Sequence, residues 1–127
     1  MSSGSENPPL LDPDELDRLC AALNGDHEAC HAFVLSFCER WPQRLKTLRD
    51  SVENIQIVGA LDAALSLKTS SAMLGALHLN ALSGHIEDAL RESDRERAGH
   101  LLTQIREVGE RTVALLHVRL AAGPQEH

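Results

Sequence analysis

The fold of this 127-residue chain depends on the stretch between residues 61 and 76, LDAALSLKTSSAMLGA. Winding it and its flanks as a helix, at about 100° per residue, separates its apolar residues into two opposite faces. One face carries Ala60, Ala63, Ala64, Leu67, Ser71 and Leu74, and the other carries Val58, Leu61, Leu65 and Ala72 with Lys68 at its edge. Such a helix is either buried on all sides or offers a second apolar surface to a partner.

The segments on either side of this helix predict four more helices. The first runs over residues 13–23 behind the capping sequence Asp12-Pro13-Asp14-Glu15. The second covers about 26–50 and continues through Pro42, because its apolar stripe keeps its phase across the proline. The central helix ends at Gly75, a fourth covers 76–92, and a fifth begins at the capping box of residues 93–96.

No stretch alternates in the manner of a strand, and the short connections favour antiparallel neighbours. The predicted fold class is therefore all-α, an up-down antiparallel four-helix bundle with a short additional N-terminal helix. We expect a disordered N-terminal tail over residues 1–11, the bundle over 12–121 and a C-terminal tail over 122–127.

Composition limits the function classes. The chain has 12 basic and 19 acidic residues, a net charge of -7, and no basic block, which argues against nucleic acid or an anionic membrane as partner. Three cysteines leave an odd thiol in any pairing scheme and form no Cys-x-x-Cys motif, so we expect reduced core residues and a cytoplasmic protein. The first residues lack the basic start and the apolar run of a signal peptide, so we expect none. We also expect no membrane-spanning segment, because no apolar run reaches the necessary length.

The central stretch resembles the histidine-containing phosphotransfer (HPt) domain of two-component phosphorelays. The resemblance is carried by Leu67-Lys68, Ser70, Ser71, Leu74-Gly75-Ala76, Leu79, Leu82 and Glu87, and by Phe33, Phe37, Trp41-Pro42 and Leu45 in the preceding helix. It extends over roughly residues 13–120 and implies signal transduction through a response-regulator receiver domain or a histidine kinase. It also implies a phosphate-accepting histidine three residues before Lys68 and a glycine directly after it.

Here those two positions are Leu65 and Thr69, and no histidine lies between Asn54 and Leu77. A leucine has no lone pair with which to accept a phosphoryl group. The sequence therefore predicts a degenerate HPt-like protein that is not an enzyme, has no catalytic residue and acts by protein–protein interaction. The docking face implied by the resemblance comprises Val58, Leu61, Leu65, Lys68, Thr69 and Ala72.

Several alternatives stay open. The second apolar face could be covered by another helix or by the N-terminal segment, or could form a homodimer or a structural module outside phosphorelay signalling. His78 or His85 could be a displaced acceptor, and Leu65 could be a recent replacement in an active protein. His27, His31 and Cys30 do not complete a tetrahedral site, so we predict no metal and no cofactor.

Overall fold

A computed structural model describes residues 8–23 and 27–122 of the chain, and within these ranges it contains helices and no strand. The helices are α1 (Pro13–Ala22), α2 (His27–Glu53), α3 (Ile57–Leu74), α4 (Leu77–Arg91) and α5 (Arg95–Ala122). α2 contacts α3, α3 contacts α4, α4 contacts α5, and α5 closes the ring against α2, while α1 lies across α2 and α3. The predicted all-α bundle is confirmed, and α2 continues through Pro42.

The contact between α1 and α3 involves the residue that caps the start of α1 and the residue that ends α3. Asp12 caps α1 by accepting a hydrogen bond from Asp14 N at 3.0 Å, and its own amide donates to Gly75 O at 2.8 Å. Gly75 ends α3 in the left-handed conformation with φ 73°. A Cβ at this position would lie 2.8 Å from Asp12 O, so glycine permits both the turn and the close approach of α1.

The chain already packs against the bundle before α1 begins. His78 N donates to Pro9 O at 3.0 Å, and Leu10 and Leu11 pack against the core. Residues 9–11 therefore pack on the bundle, although the predicted domain began at residue 12. Residues 1–7 and 123–127, which make up most of the two predicted tails, lie outside the described residues.

The core is aliphatic, as the composition predicts, apart from an aromatic pair on α2. Its fully buried large side chains are Leu48, Leu74, Leu79, Ile86, Ile105 and Leu116. The rings of Phe37 and Trp41 stack with their centroids 6.4 Å apart. The Trp41 indole lies so close to Gly109 that a Cβ on this glycine would be 2.0 Å from the ring.

One expectation about the cysteines is wrong. Cys20 on α1 and Cys30 on α2 form a disulfide, with their Cα atoms 5.2 Å apart. The odd number of cysteines did not prevent a pair, because the short connection from α1 to α2 brings these two positions together. Cys38 is the remaining thiol and is buried, as predicted. Burial, and secondarily the charge of Glu39, raises the pKa of the Cys38 thiol.

Among the described helices, α3 alone has the length and mean hydropathy of a membrane-spanning segment. It packs on α2 and α4 through one face. A single helix of this kind is weak evidence for a span, because core helices of soluble bundles share its length and composition.

Candidate functional site

The two faces of α3 have different environments. Its buried face consists of Ala60, Ala64, Leu67, Ser71 and Leu74. On the opposite side Val58 is 75% exposed and Leu65 is 48% exposed, and Thr69 and Ala72 are exposed as well. No helix of the described residues covers this side, which excludes coverage by another of these helices.

Two of the predicted docking residues lie at the margin of this surface rather than at its centre. Leu61 is half-buried and packs against the core, and Lys68 is also intermediate in exposure. The sequence reasoning missed Met73, which is 44% exposed and lies two turns beyond Leu65. Continuing the spacing from Leu65 through Thr69 would have found it. We call the surface formed by Val58, Leu65, Thr69, Ala72 and Met73 the α3 face.

An ion-pair network borders the α3 face on the side of α4. Lys68 Nζ donates to Glu87 Oε1 at 3.1 Å, and Arg91 Nη2 donates to Glu87 Oε2 at 2.8 Å. The Glu87 side chain is only 11% exposed. The bond from Arg91, followed by that from Lys68, holds the pKa of the Glu87 carboxyl below its usual value. Lys68 is therefore bound to α4 through its ammonium group.

A cleft of about 300 Å³ borders the α3 face on the side of α2. It is lined by Arg40, Gln43, Arg44, Thr47, Leu48, Ala63, Ser66 and Leu67. Arg44 Nη1 donates to Ser70 Oγ at 3.0 Å, and its guanidinium carbon lies 5.8 Å from the centroid of the Phe37 ring. Burial, and then the positive charge of Arg40, lowers the pKa of Arg44.

The profile of the Hpt domain matches residues 32–115, which include all of α3 and α4. The chain belongs to the Hpt domain family. Its helices also superimpose on the crystal structure of histidine-containing phosphotransfer protein B (HptB) from Pseudomonas aeruginosa PAO1. The TM-score is 0.82, with 93% of this chain and 100% of that chain covered at 19% identity, which shows a shared fold. Comparison with curated proteins gave no match.

The histidines of this Hpt domain lie outside α3. His78 and His85 are on α4, where His78 is partly buried and burial, followed by the charge of Arg111, lowers its pKa. His31 is exposed on α2, and the side chain of His27 lies outside the described residues. Among the described residues no cluster of His, Cys, Asp and Glu could hold a metal ion.

The α3 face of this Hpt domain thus presents aliphatic side chains to solvent, with cationic groups on both flanks. Leu65 lies near its centre, at the position that the family resemblance assigns to the phosphate acceptor. The side chains of Leu65, Thr69 and Met73 can pack against a partner, but none of them is a nucleophile suited to accept a phosphoryl group at nitrogen.

Proposed function

We propose that this Hpt domain acts in phosphorelay signalling by binding a receiver domain, or a histidine kinase, without carrying phosphate itself. The observation that supports this most is the exposure of Leu65, which is 48% accessible at the expected acceptor position. A leucine cannot accept a phosphoryl group, but an exposed leucine among other aliphatic side chains can serve as a docking anchor. The domain would then occupy its partner competitively or hold it in one state.

The chemical character of the α3 face supports binding as its role. Val58, Leu65 and Met73 are large apolar side chains that stay exposed, and Asp62 and Thr69 add polar groups beside them. An apolar centre with a polar rim is the usual arrangement of a transient protein interface. Solitary exposed apolar residues are common, whereas three large ones aligned on one helix face, at successive two-turn intervals, favour a partner.

The test separates phosphate transfer from complex formation. The protein is mixed with phosphorylated receiver domains and with histidine kinases of the same cell, and phosphate on each protein and the dissociation constant are followed independently. We expect a complex with at least one partner and no phosphate on this chain. Phosphate recovered on the wild-type protein would overturn the proposed absence of transfer, and lack of binding to every partner would overturn the binding role.

A matched pair of substitutions locates the interface. Leu65→Glu should weaken the complex by about tenfold or more, because it places a charge at the centre of an apolar contact. Leu115→Glu introduces the same change on α5, where Leu115 is 36% exposed, and should leave the dissociation constant nearly unchanged. Equal effects of the two variants would exclude the α3 face as the docking surface.

A second candidate is homodimerisation through the α3 face. The exposure of Val58 favours it, since this side chain is 75% exposed. Burying it against a second copy of the chain would give a favourable free energy. Sedimentation of the wild-type protein decides this. A dimer that Leu65→Glu converts to a monomer would favour a structural module over partner docking. A monomer at all concentrations would eliminate it.

A further inference from the structure

We infer that the cleft between α2 and α3 binds an oxyanion of the docked receiver domain, with Arg40 and Arg44 as its cationic residues. The inference rests on the proposed function, because the receiver is the source of the anion. It assigns a charged subsite beside the apolar α3 face and names the chemical group that the subsite recognises.

The two arginines are cations without an anionic partner. Some basic side chains of the bundle pair with carboxylates, as in Lys46 with Asp50 at 2.6 Å and Lys68 with Glu87. Others, such as Arg106, form no such pair among the described residues. In the part of the chain that the structure describes, neither Arg40 nor Arg44 forms such a pair. They are four residues apart on α2, where like charges destabilise a helix. In a protein of net charge -7, this local excess of positive charge would be offset by a bound anion.

The cleft already holds one of these cations in position. Arg44 is anchored by its bond to Ser70 Oγ and by its position over the Phe37 ring, which leaves its remaining N–H groups free to donate. Arg40 is exposed at the same cleft. Gln43 and Ser66 add polar groups to the lining, and Leu48 and Leu67 contribute buried apolar surface. A guanidinium fixed before binding loses less side-chain entropy when the anion arrives.

The cleft lies where a partner on the α3 face would reach it. Ser66 lines the cleft and directly follows Leu65, so the two surfaces meet along one edge of α3. A receiver domain carries its phosphate on an aspartate, and its docking surface therefore presents either carboxylates or an aspartyl phosphate. Both are oxyanions that arginine binds through paired N–H donors.

A second basic groove provides the contrast. It lies between α2 and α5 and is lined by Arg49, Arg95 and Arg106, but also by Glu53 and Glu96. Its positive charge is therefore largely compensated within the groove itself. The groove is on the other flank of α2, away from α3. Arg106 in this groove therefore serves as the control for Arg40.

The test compares two charge reversals in the full chain. The dissociation constant of the receiver complex is measured for the wild type, Arg40→Glu and Arg106→Glu at low and high salt. We expect Arg40→Glu to weaken binding by about tenfold and to reduce its salt dependence, and Arg106→Glu to change it by less than about twofold. Arg40→Lys should weaken binding less than Arg40→Glu, because it keeps the charge and loses only the paired N–H donors.

The outcomes separate this inference from the proposed function. If the wild type binds no receiver, this inference fails, and the proposed function fails with it only if no histidine kinase is bound either. If the wild type binds a receiver and the two reversals have equal effects, the oxyanion subsite alone is overturned. Repeating the measurement with phosphorylated receiver identifies the anion: a larger loss for Arg40→Glu indicates the phosphoryl group, and an unchanged loss indicates a carboxylate. Thermal unfolding of each variant verifies that the bundle is intact.

Discussion

Lys68 and Glu87 join α3 to α4 through a hydrogen bond of 3.1 Å, and Arg91 binds the other oxygen of the same carboxylate at 2.8 Å. The Glu87 carboxylate is thus shared by two cations at the border of the α3 face. The Glu87 side chain is only 11% exposed, whereas the side chains of Lys68 and Arg91 are 44% and 62% exposed, so solvent still screens both bonds in part.

Glu87→Gln should lower the free energy of unfolding at neutral pH, and this loss should shrink in acid. The bonds from Arg91 and Lys68 lower the pKa of Glu87 from its ordinary value of 4.5. A carboxyl whose pKa is lower in the folded state stabilises the protein fully above the unfolded pKa, and this stabilisation disappears as the pH falls through the folded pKa. Urea unfolding measured from pH 7 downward in both proteins gives the difference.

The control for this prediction is Asp88→Asn, which removes the neighbouring carboxylate. Asp88 is exposed, and its side chain has no ion pair in the described ranges 8–23 and 27–122. We expect a change within about 0.5 kcal/mol at every pH. A difference for Glu87→Gln that stays constant into acid would contradict the assigned linkage.

Leu65→His should give the α3 face a group that can accept phosphate from a receiver. The position is half-exposed, so the imidazole can be accommodated with little change in stability. We expect slow formation of acid-labile phosphohistidine, and faster formation when Thr69→Gly is added, because the threonine side chain leans toward position 65. Leu115→His on α5 is the matched control and should remain unphosphorylated. Absence of phosphate on both Leu65→His proteins would mean that the site has lost more than its histidine.

Gly109→Ala and Gly99→Ala should have opposite effects although both lie in α5. A Cβ at Gly109 would be 2.0 Å from the Trp41 ring, whereas nothing lies within 4 Å of one at Gly99. Overpacking at Gly109 should cost about 1–3 kcal/mol or more. At Gly99 the higher helix propensity of alanine should stabilise the protein by up to about 1 kcal/mol. Tryptophan fluorescence during urea unfolding measures both, and equal effects would contradict the close contact.

The sequence predicted the elements well because its strongest signals are local. The cap at Asp12, the stop at Gly75 and the two-faced pattern of α3 each depend on residues within a few turns, and the structure contains all three. The partner of Lys68 could not be derived in this way. Glu87 is 19 residues further along the chain, and their meeting depends on how α3 and α4 pack. The cleft at Arg44 could not be predicted for the same reason, because it is formed by residues from both α2 and α3.

The disulfide between Cys20 and Cys30 likewise depends on the packing of two helices, α1 and α2. The bond closes a loop with a sequence separation of 10, so reduction, or Cys20→Ser, should lower the free energy of unfolding by about 2–3 kcal/mol. A reductant should have no further effect on Cys20→Ser. In the wild-type protein without reductant, a thiol reagent should modify only Cys38. It should do so only after unfolding, because Cys38 is buried. Three reactive thiols in the unreduced, unfolded protein would contradict the bond, and they are the expected count after reduction.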